Sequence, residues 1–206
     1  MIQRWTNGSM VVGAWIEKWY GTKPDIVTYG GAECEAGKIL DQTALRLDQN
    51  DKSLKCVFVG RVSEDTGARV YERVIGQMSN VTLDMYGEGS KLGTVADSCM
   101  VFLKYDVACV SSYLSIIEAM QSNTLVVAYA SNELKLDYLS VHPRAKDIFI
   151  VQSEHELKKT ILRLSGHTGD AQDDRIHEMT ENAYEWARQQ TWGRVYQKYL
   201  TLWKKL

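Results

Sequence analysis

Proline is scarce in this sequence, with two in 206 residues, beside three phenylalanines, four cysteines and four histidines. No low-complexity tract and no internal repeat is visible, so neither a linker-dominated chain nor a solenoid is indicated. No apolar run approaches the ~20 residues needed to cross a bilayer. The expectation is a chain with no leader peptide and no membrane span. A formal net charge of −2 leaves no general attraction to nucleic acid or an anionic membrane. Cys34, Cys56, Cys99 and Cys109 show no CxxC spacing, which argues against a metal site. Cys56 and Cys109 sit in apolar runs, where a thiol behaves as a small buried hydrophobe. The expected setting is a reducing cytoplasm, in which the sequons at Asn7 and Asn80 carry no meaning. Neither a GxGxxG nor a Walker lysine motif occurs, so dinucleotide oxidoreductase and ATPase chemistry are not indicated.

What is present is ordinary soluble composition, 45% hydrophobic and 24% charged, in a length that suits one domain with appendages. The middle of the chain alternates two periods. "LKCVFVG" (54–60), "VTLDMYG" (81–87), "DVACV" (106–110), "TLVVAYA" (124–130) and "DIFIV" (147–151) read as strands. Between them, "GARVYERVIGQM" (67–78), the stretch from about Ser112, "ELKLDYL" and "SEHELKKTILRL" read as helices. Ser153 is the expected cap of the last, with Glu156 completing a capping box. Such alternation predicts right-handed crossovers and a parallel sheet covered on both faces, and the near-continuous apolar strands agree. The expected fold is a doubly wound α/β domain.

The ends differ. Residues 10–20 read as an amphipathic helix and "PDIVTYGGAE" as a strand entering a glycine turn. From Asp170 the chain is expected to be helical, broken near "TWG". Trp186, Val195, Tyr199, Leu202 and Trp203 make its apolar face, read as core. The expected division is an N-terminal helix–strand segment (1–50), the doubly wound domain (51–166) and C-terminal helices (167–206).

In an open parallel sheet the ligand crevice lies beyond the carboxyl ends of the strands. "VGRVSEDTG" (59–67), "YGEGS" (86–90) and "SSYLSIIEAM" (111–120) fall there. Gly60, Gly87 and Gly89 allow close backbone approach. Arg61 adds a planar cation, and helix starts add free N–H groups. Glu118, a lone carboxylate in an apolar stretch, suits paired hydroxyls such as a ribose diol. Together these describe a site for a nucleoside diphosphate. Each has a plainer reading: Ser115 and Glu118 have capping-box spacing, Arg61 is also what a surface arginine looks like, and "GEG" is also a simple turn. His142, His155, His167 and His177 read as surface or packing residues.

"CVFVGRVSEDTG", "DMYGEGS" and "SIIEAMQSNTLVVAYA" resemble the donor-binding, C-terminal half of GT-B glycosyltransferases of the retaining group 1 type, a Rossmann-like half-domain. "NAYEWARQQTWGRVYQKYLTLW" resembles the helices that close such chains, and "WIEKWYGTKPDIVTYGGAE" the stretch joining the two halves. The resemblance implies Arg61 on the donor diphosphate and Glu118 on the ribose hydroxyls. It also assigns the turns at Gly60, Gly87 and Gly89, and the helix start at Ser112, Tyr113, Leu114 and Ser115, to the nucleotide sugar. It implies metal-independent hexosyl transfer from a nucleoside-diphosphate sugar to an unknown acceptor, with no separate cofactor. An acceptor-binding partner chain or a homo-oligomer would complete the enzyme. The sequence departs from the family at Thr66, where a lysine is usual, and at Val110, where an acid is usual. "SSYLS" replaces a longer glycine loop, and "QSNT" stands where the family has a glycine. The other readings are a non-catalytic nucleotide-sugar-binding subunit that needs a partner chain, and an epimerase on the same architecture.

Overall fold

In the computed structural model, which describes residues 8–34, 53–166 and 171–204, the central strands alternate their side chains between two cores. Strands β3 (Leu54–Val59), β4 (Val81–Tyr86), β5 (Val107–Cys109), β6 (Leu125–Tyr129) and β7 (Ile148–Val151) form one sheet. All pairings are parallel, in the order β4-β3-β5-β6-β7. Cys56, Phe58, Cys109 and Val127 pack on one face with Tyr71, Ile75, Leu157 and Ile161. Val57, Ala108, Val126 and Ala128 pack on the other with Phe102, Ile116, Met120 and Leu139. A strand buried on both faces cannot alternate apolar with polar residues, which is why these runs read as continuously apolar. The doubly wound expectation holds.

The helices that cover the sheet are α2 (Ala68–Ile75), α3 (Ser98–Phe102), α4 (Tyr113–Gln121), α5 (Glu133–Ser140) and α6 (Glu154–Ser165). The start of α6 agrees with its sequence signal: Ser153 Oγ accepts from Glu156 N at 3.2 Å. The Glu156 carboxylate reaches one residue further back than a capping box does and accepts from Gln152 N at 2.8 Å.

The N-terminal stretch corrects the single helix expected over 10–20. Strand β1 (Met10–Val12) leads through Gly13 into a short helix, α1 (Trp15–Tyr20), and then to β2 (Ile26–Thr28). β1 and β2 pair in parallel, Val11 opposite Val27. Gly13 makes the break: its φ of +87° is open to glycine and costly for other residues, and its amide donates to Thr28 O at 2.8 Å. Of the expected 1–50 segment, residues 1–7 and 35–50 lie outside the described residues, as do 167–170, His167 among them, and 205–206 at the C-terminal end.

Helix α7 (Ala171–Ala187) lies against α4 and buries Ala183 and Ala187 in the second core. The break near "TWG" is where expected: Thr191 caps α8 (Trp192–Trp203), its Oγ1 accepting from Arg194 N at 3.1 Å. The expected apolar face of α8 divides in two. Val195 and Leu202 point inward, whereas Trp192, Tyr196, Tyr199 and Trp203 form an exposed stripe at spacings of four, three and four. Trp186 packs edge-on against buried His142.

Two long-range ties fix α4. The buried Gln121 amide donates to the carbonyls of Ala32, Ala187 and Gln190 at 3.1, 2.9 and 3.2 Å, and its oxygen accepts from Cys34 N at 3.0 Å. One side chain therefore holds the segment after β2 and the end of α7 to the same helix. Cys34 also forms a disulfide with Cys99 on α3, with Cα atoms 5.6 Å apart and a sequence separation of 65. A stable disulfide is out of place in a reducing cytoplasm, so the reduced-thiol reading holds only for buried Cys56 and Cys109. Among the described residues no helix is long and apolar enough to cross a membrane.

Candidate functional site

The strand order reverses between β3 and β5, since β4 lies outside β3 while β6 and β7 continue beyond β5. In open α/β sheets the crevice at such a switch point is where ligands bind. Arg61 follows β3 directly, and α4, which carries Glu118, follows β5.

The loop bearing Arg61 is folded by its own hydroxyls. Ser63 and Thr66 form a capping box around a short 3-10 turn (Glu64–Thr66). Thr66 Oγ1 donates to the carbonyls of Ser63 and Arg61 at 2.8 and 3.0 Å. Ser111, at the end of β5, donates to Thr66 O at 3.1 Å and ties the loop to the start of α4. Arg61 is well exposed. Its Nε lies 3.4 Å from Ser63 Oγ and its Nη2 3.5 Å from Asp65, a solvated pairing of little strength that leaves the fork available. Asp65 is held below the usual carboxylate range, first by the Ser63 hydroxyl at 2.5 Å and then by the Arg61 charge.

The glycine turns lock onto each other. Gly60 N donates to Tyr86 O at 3.0 Å, and Val62 N to Glu88 O at 2.9 Å. Gly87 has φ +125°, and a Cβ there would stand 2.0 Å from Gly60 O. Its glycine is therefore required by the approach of two backbones, whether or not a ligand is bound. Gly89 lies two residues on, against Val62.

Ser112 is the N-cap of α4; its Oγ accepts from Ser115 N at 3.4 Å and donates to Ser115 Oγ at 2.9 Å. Ser115 is thus the N3 partner of the cap, and Glu118 lies three residues further on. The capping-box reading of Glu118 is overturned, because the helix begins three residues earlier than that reading requires. Leu114 is exposed and leans on Gly30. Tyr113 is turned inward: its ring stacks on Tyr138 at 3.8 Å, its amide donates to Tyr138 Oη at 2.6 Å, and its hydroxyl donates to Tyr138 O.

Glu118 is half-buried on the side of α4 that meets α3. Burial pushes its carboxyl up, the Ser98 hydroxyl opposes this, and the Asp97 carboxylate adds to the rise. Asp97 is the N-cap of α3, with Oδ1 accepting from Met100 N at 3.1 Å. Sequence reasoning missed Asp97 and Ser98, although an aspartate just before the apolar "CMVF" is an N-cap signal. Of the histidines, His142 is a packing residue. Its Nδ1 accepts from Arg144 N at 3.2 Å, and burial holds it neutral, pushed down to about 4. His155 and His177 are exposed.

A hollow of about 550 Å³ lies behind these loops, along edge strand β4, with Val62, Leu83 and Gly89 in its wall. It does not include Arg61 or Glu118. Topology and side-chain chemistry, not cavity size, mark the crevice at the switch point.

No family model matches the sequence, and no curated protein matches it. Solved structures do match in fold. The chain is similar to sucrose-phosphate synthase from Thermosynechococcus elongatus (17% identity, TM-score 0.69), over 95% of this chain and 57% of that one. It is similar to a glycosyltransferase from Rickettsia africae (14%, TM-score 0.68), over 97% and 63%. It is also similar to HepE from Anabaena, solved in complex with UDP and glucose (17%, TM-score 0.57), over 80% and 52%. The fold is that of a Rossmann-like half of a GT-B glycosyltransferase, and the chain spans roughly half the length of these structures.

Proposed function

We propose that this chain binds a nucleoside-diphosphate sugar at the carboxyl edge of its sheet and acts as the donor half of a glycosyltransferase. The observation that carries the reading is the placement of Arg61 and Glu118 on the two sides of the switch point between β3 and β5. The Arg61 fork takes phosphate oxygens in charge-assisted hydrogen bonds. Glu118 accepts from the two ribose hydroxyls, and the turns at Gly60, Gly87 and Gly89 admit the nucleotide against the backbone. Ser112, Leu114 and Ser115 line the helix start beside it; Tyr113 supports them from below. A hexosyl group then passes to an acceptor held elsewhere, by a further domain, a partner chain or a second copy. Preorganised donors stabilise the charge that develops on the departing diphosphate. In this reading the transfer is retaining and needs neither metal nor cofactor. The similar fold of the Anabaena protein solved with UDP and glucose supports the choice of donor.

A non-catalytic donor-binding subunit is the second reading. It is favoured by Thr66, a hydroxyl folded into its own loop where related donor halves have a cation.

The test is calorimetric titration of UDP, GDP, ADP and dTDP, with the matching nucleosides, into wild type and Arg61→Ala. The expected result is binding of at least one diphosphate, with its affinity reduced far more than that of its nucleoside in the variant. Equal losses for nucleoside and diphosphate overturn the role of Arg61.

A further inference from the structure

The crevice contains a second cation that the sequence pattern did not point to. Lys135 is the third residue of α5, whose N-cap Asn132 accepts from Lys135 N at 2.8 Å. Because α5 follows β6, its start lies at the same sheet edge as the Arg61 loop. Contacts close the gap. A Cβ on Gly67, which ends that loop, would stand 3.0 Å from the ring of Tyr129, the last residue of β6. Ser111 binds the loop to the start of α4, and Tyr138 Oη binds the start of α4 to α5. The Lys135 ammonium stands 4.5 Å from the centre of the Tyr138 ring. Lys135 is half-buried, yet among the described residues it has no carboxylate within ion-pair distance. The acid that attracts it is Asp65, which also faces Arg61.

We infer that Lys135 is a second ligand of the donor diphosphate, opposite Arg61 across the Asp65 carboxylate. The inference rests on the donor-site reading above and adds a residue to it. An ammonium held over an aromatic ring at a crevice mouth is partly desolvated and positioned without an anion of its own. Burial disfavours its charge and Asp65 offsets this only in part, so a closer anion over the ring would stabilise the ammonium. Thr66 cannot supply that charge, and Lys135 reaches the same place from the other side of the crevice. Asp65 attracts both cations without pairing closely with Lys135, and a diphosphate takes over part of its role when it enters.

The experiment compares wild type, Lys135→Gln and Arg61→Ala in titrations with inorganic pyrophosphate, UDP, GDP, ADP and dTDP, and the matching nucleosides. Gln keeps the stem over Tyr138 and removes the charge. The expected result for Lys135→Gln is a loss of roughly five- to twentyfold in diphosphate affinity, with nucleoside affinity and the unliganded melt unchanged. Diphosphate affinity equal to wild type in Lys135→Gln, while Arg61→Ala weakens it, overturns the inference and leaves the donor site standing. Failure of every diphosphate and of pyrophosphate to bind wild type overturns both. Amine acylation of wild-type protein, read by mass spectrometry, covers a variant that does not fold. Labelling of Lys135 should fall when the binding diphosphate is present, and labelling unaffected by saturating diphosphate overturns the inference.

Discussion

The surroundings of Glu118 disfavour its charge. Burial and the Asp97 carboxylate raise its pKa in the folded state, and Ser98 only partly opposes them. A carboxyl with a raised folded pKa makes the charged form a destabilising one at neutral pH. Glu118→Gln should therefore leave the melting temperature of the unliganded protein at pH 7 unchanged or slightly higher. Hydrogen bonds to a charged acceptor are worth ~1.5–3 kcal/mol against ~0.5–1.5 for neutral ones. Gln also turns one acceptor into a donor facing the diol. Donor affinity should then fall roughly ten- to hundredfold, or about 1.4–2.7 kcal/mol, and unchanged affinity by calorimetry would remove Glu118 from the site. His142 gives the opposite pH behaviour. Its folded pKa of about 4 lies below the ordinary 6.5, so the unfolded chain takes up the proton first. Its contribution is intact above pH 6.5 and is lost as pH falls towards 4, about 3 kcal/mol in all. A series of melts between pH 7 and 4 should show a smaller fall for His142→Phe than for wild type; parallel curves would contradict the assignment. The positions of Arg61 and Glu118 after β3 and β5 were legible in the sequence because each follows a recognisable strand. Asp97, Ser98 and Lys135 were less so, because their positions beside the crevice depend on how separate elements meet.

At the scale of elements, α4 is the piece on which the site depends. It is capped by Ser112, held by Gln121 to the segment after β2 and to the end of α7, and placed beside α3, which the Cys34–Cys99 disulfide joins to that same segment. A closed loop of this length is worth ~2–4 kcal/mol of stability, largely by restricting the unfolded chain. Reduction with dithiothreitol, or Cys99→Ser, should lower stability by about that amount in denaturant melts. Alkylation of the unreduced, denatured protein should label Cys56 and Cys109 and leave Cys34 and Cys99 unlabelled. Labelling of all four without prior reduction would contradict the pairing. The long elements were legible: strands buried on two faces read as continuous apolar runs, and Ser153 and Thr191 mark helix starts. The short ones were less so. Strand β2 was legible within "PDIVTYGGAE", but β1 has three residues and α3 has five, too few for any period to stand out. The disulfide joins cysteines far apart in sequence with no spacing signal, and the amide of Gln121 meets partners from two distant segments.

For the molecule as a whole, the parallel order β4-β3-β5-β6-β7 gives a chain with no phosphate-loop motif a crevice at one edge of its sheet. A reversal of strand order opens a crevice whatever the loops contain. The loops then determine what fits: Arg61 and Asp65 follow β3, whereas Glu118 and Lys135 lie on the helices that follow β5 and β6. This level was legible from the alternation of strand and helix alone, whereas the aromatic stripe on α8 was not, since its outward turn depends on how α8 sits on β2. The central claim is that this edge binds a nucleoside diphosphate. The most direct test is the melting temperature of the wild-type protein with UDP, GDP, ADP, dTDP and their sugar conjugates at millimolar concentration. A ligand present at a hundred times its dissociation constant adds ~2.7 kcal/mol of stability, which a melt of a chain this size resolves as several degrees. A diphosphate site at this edge gives such a rise with at least one diphosphate and none with its nucleoside's base alone; a flat response across the whole panel would contradict it.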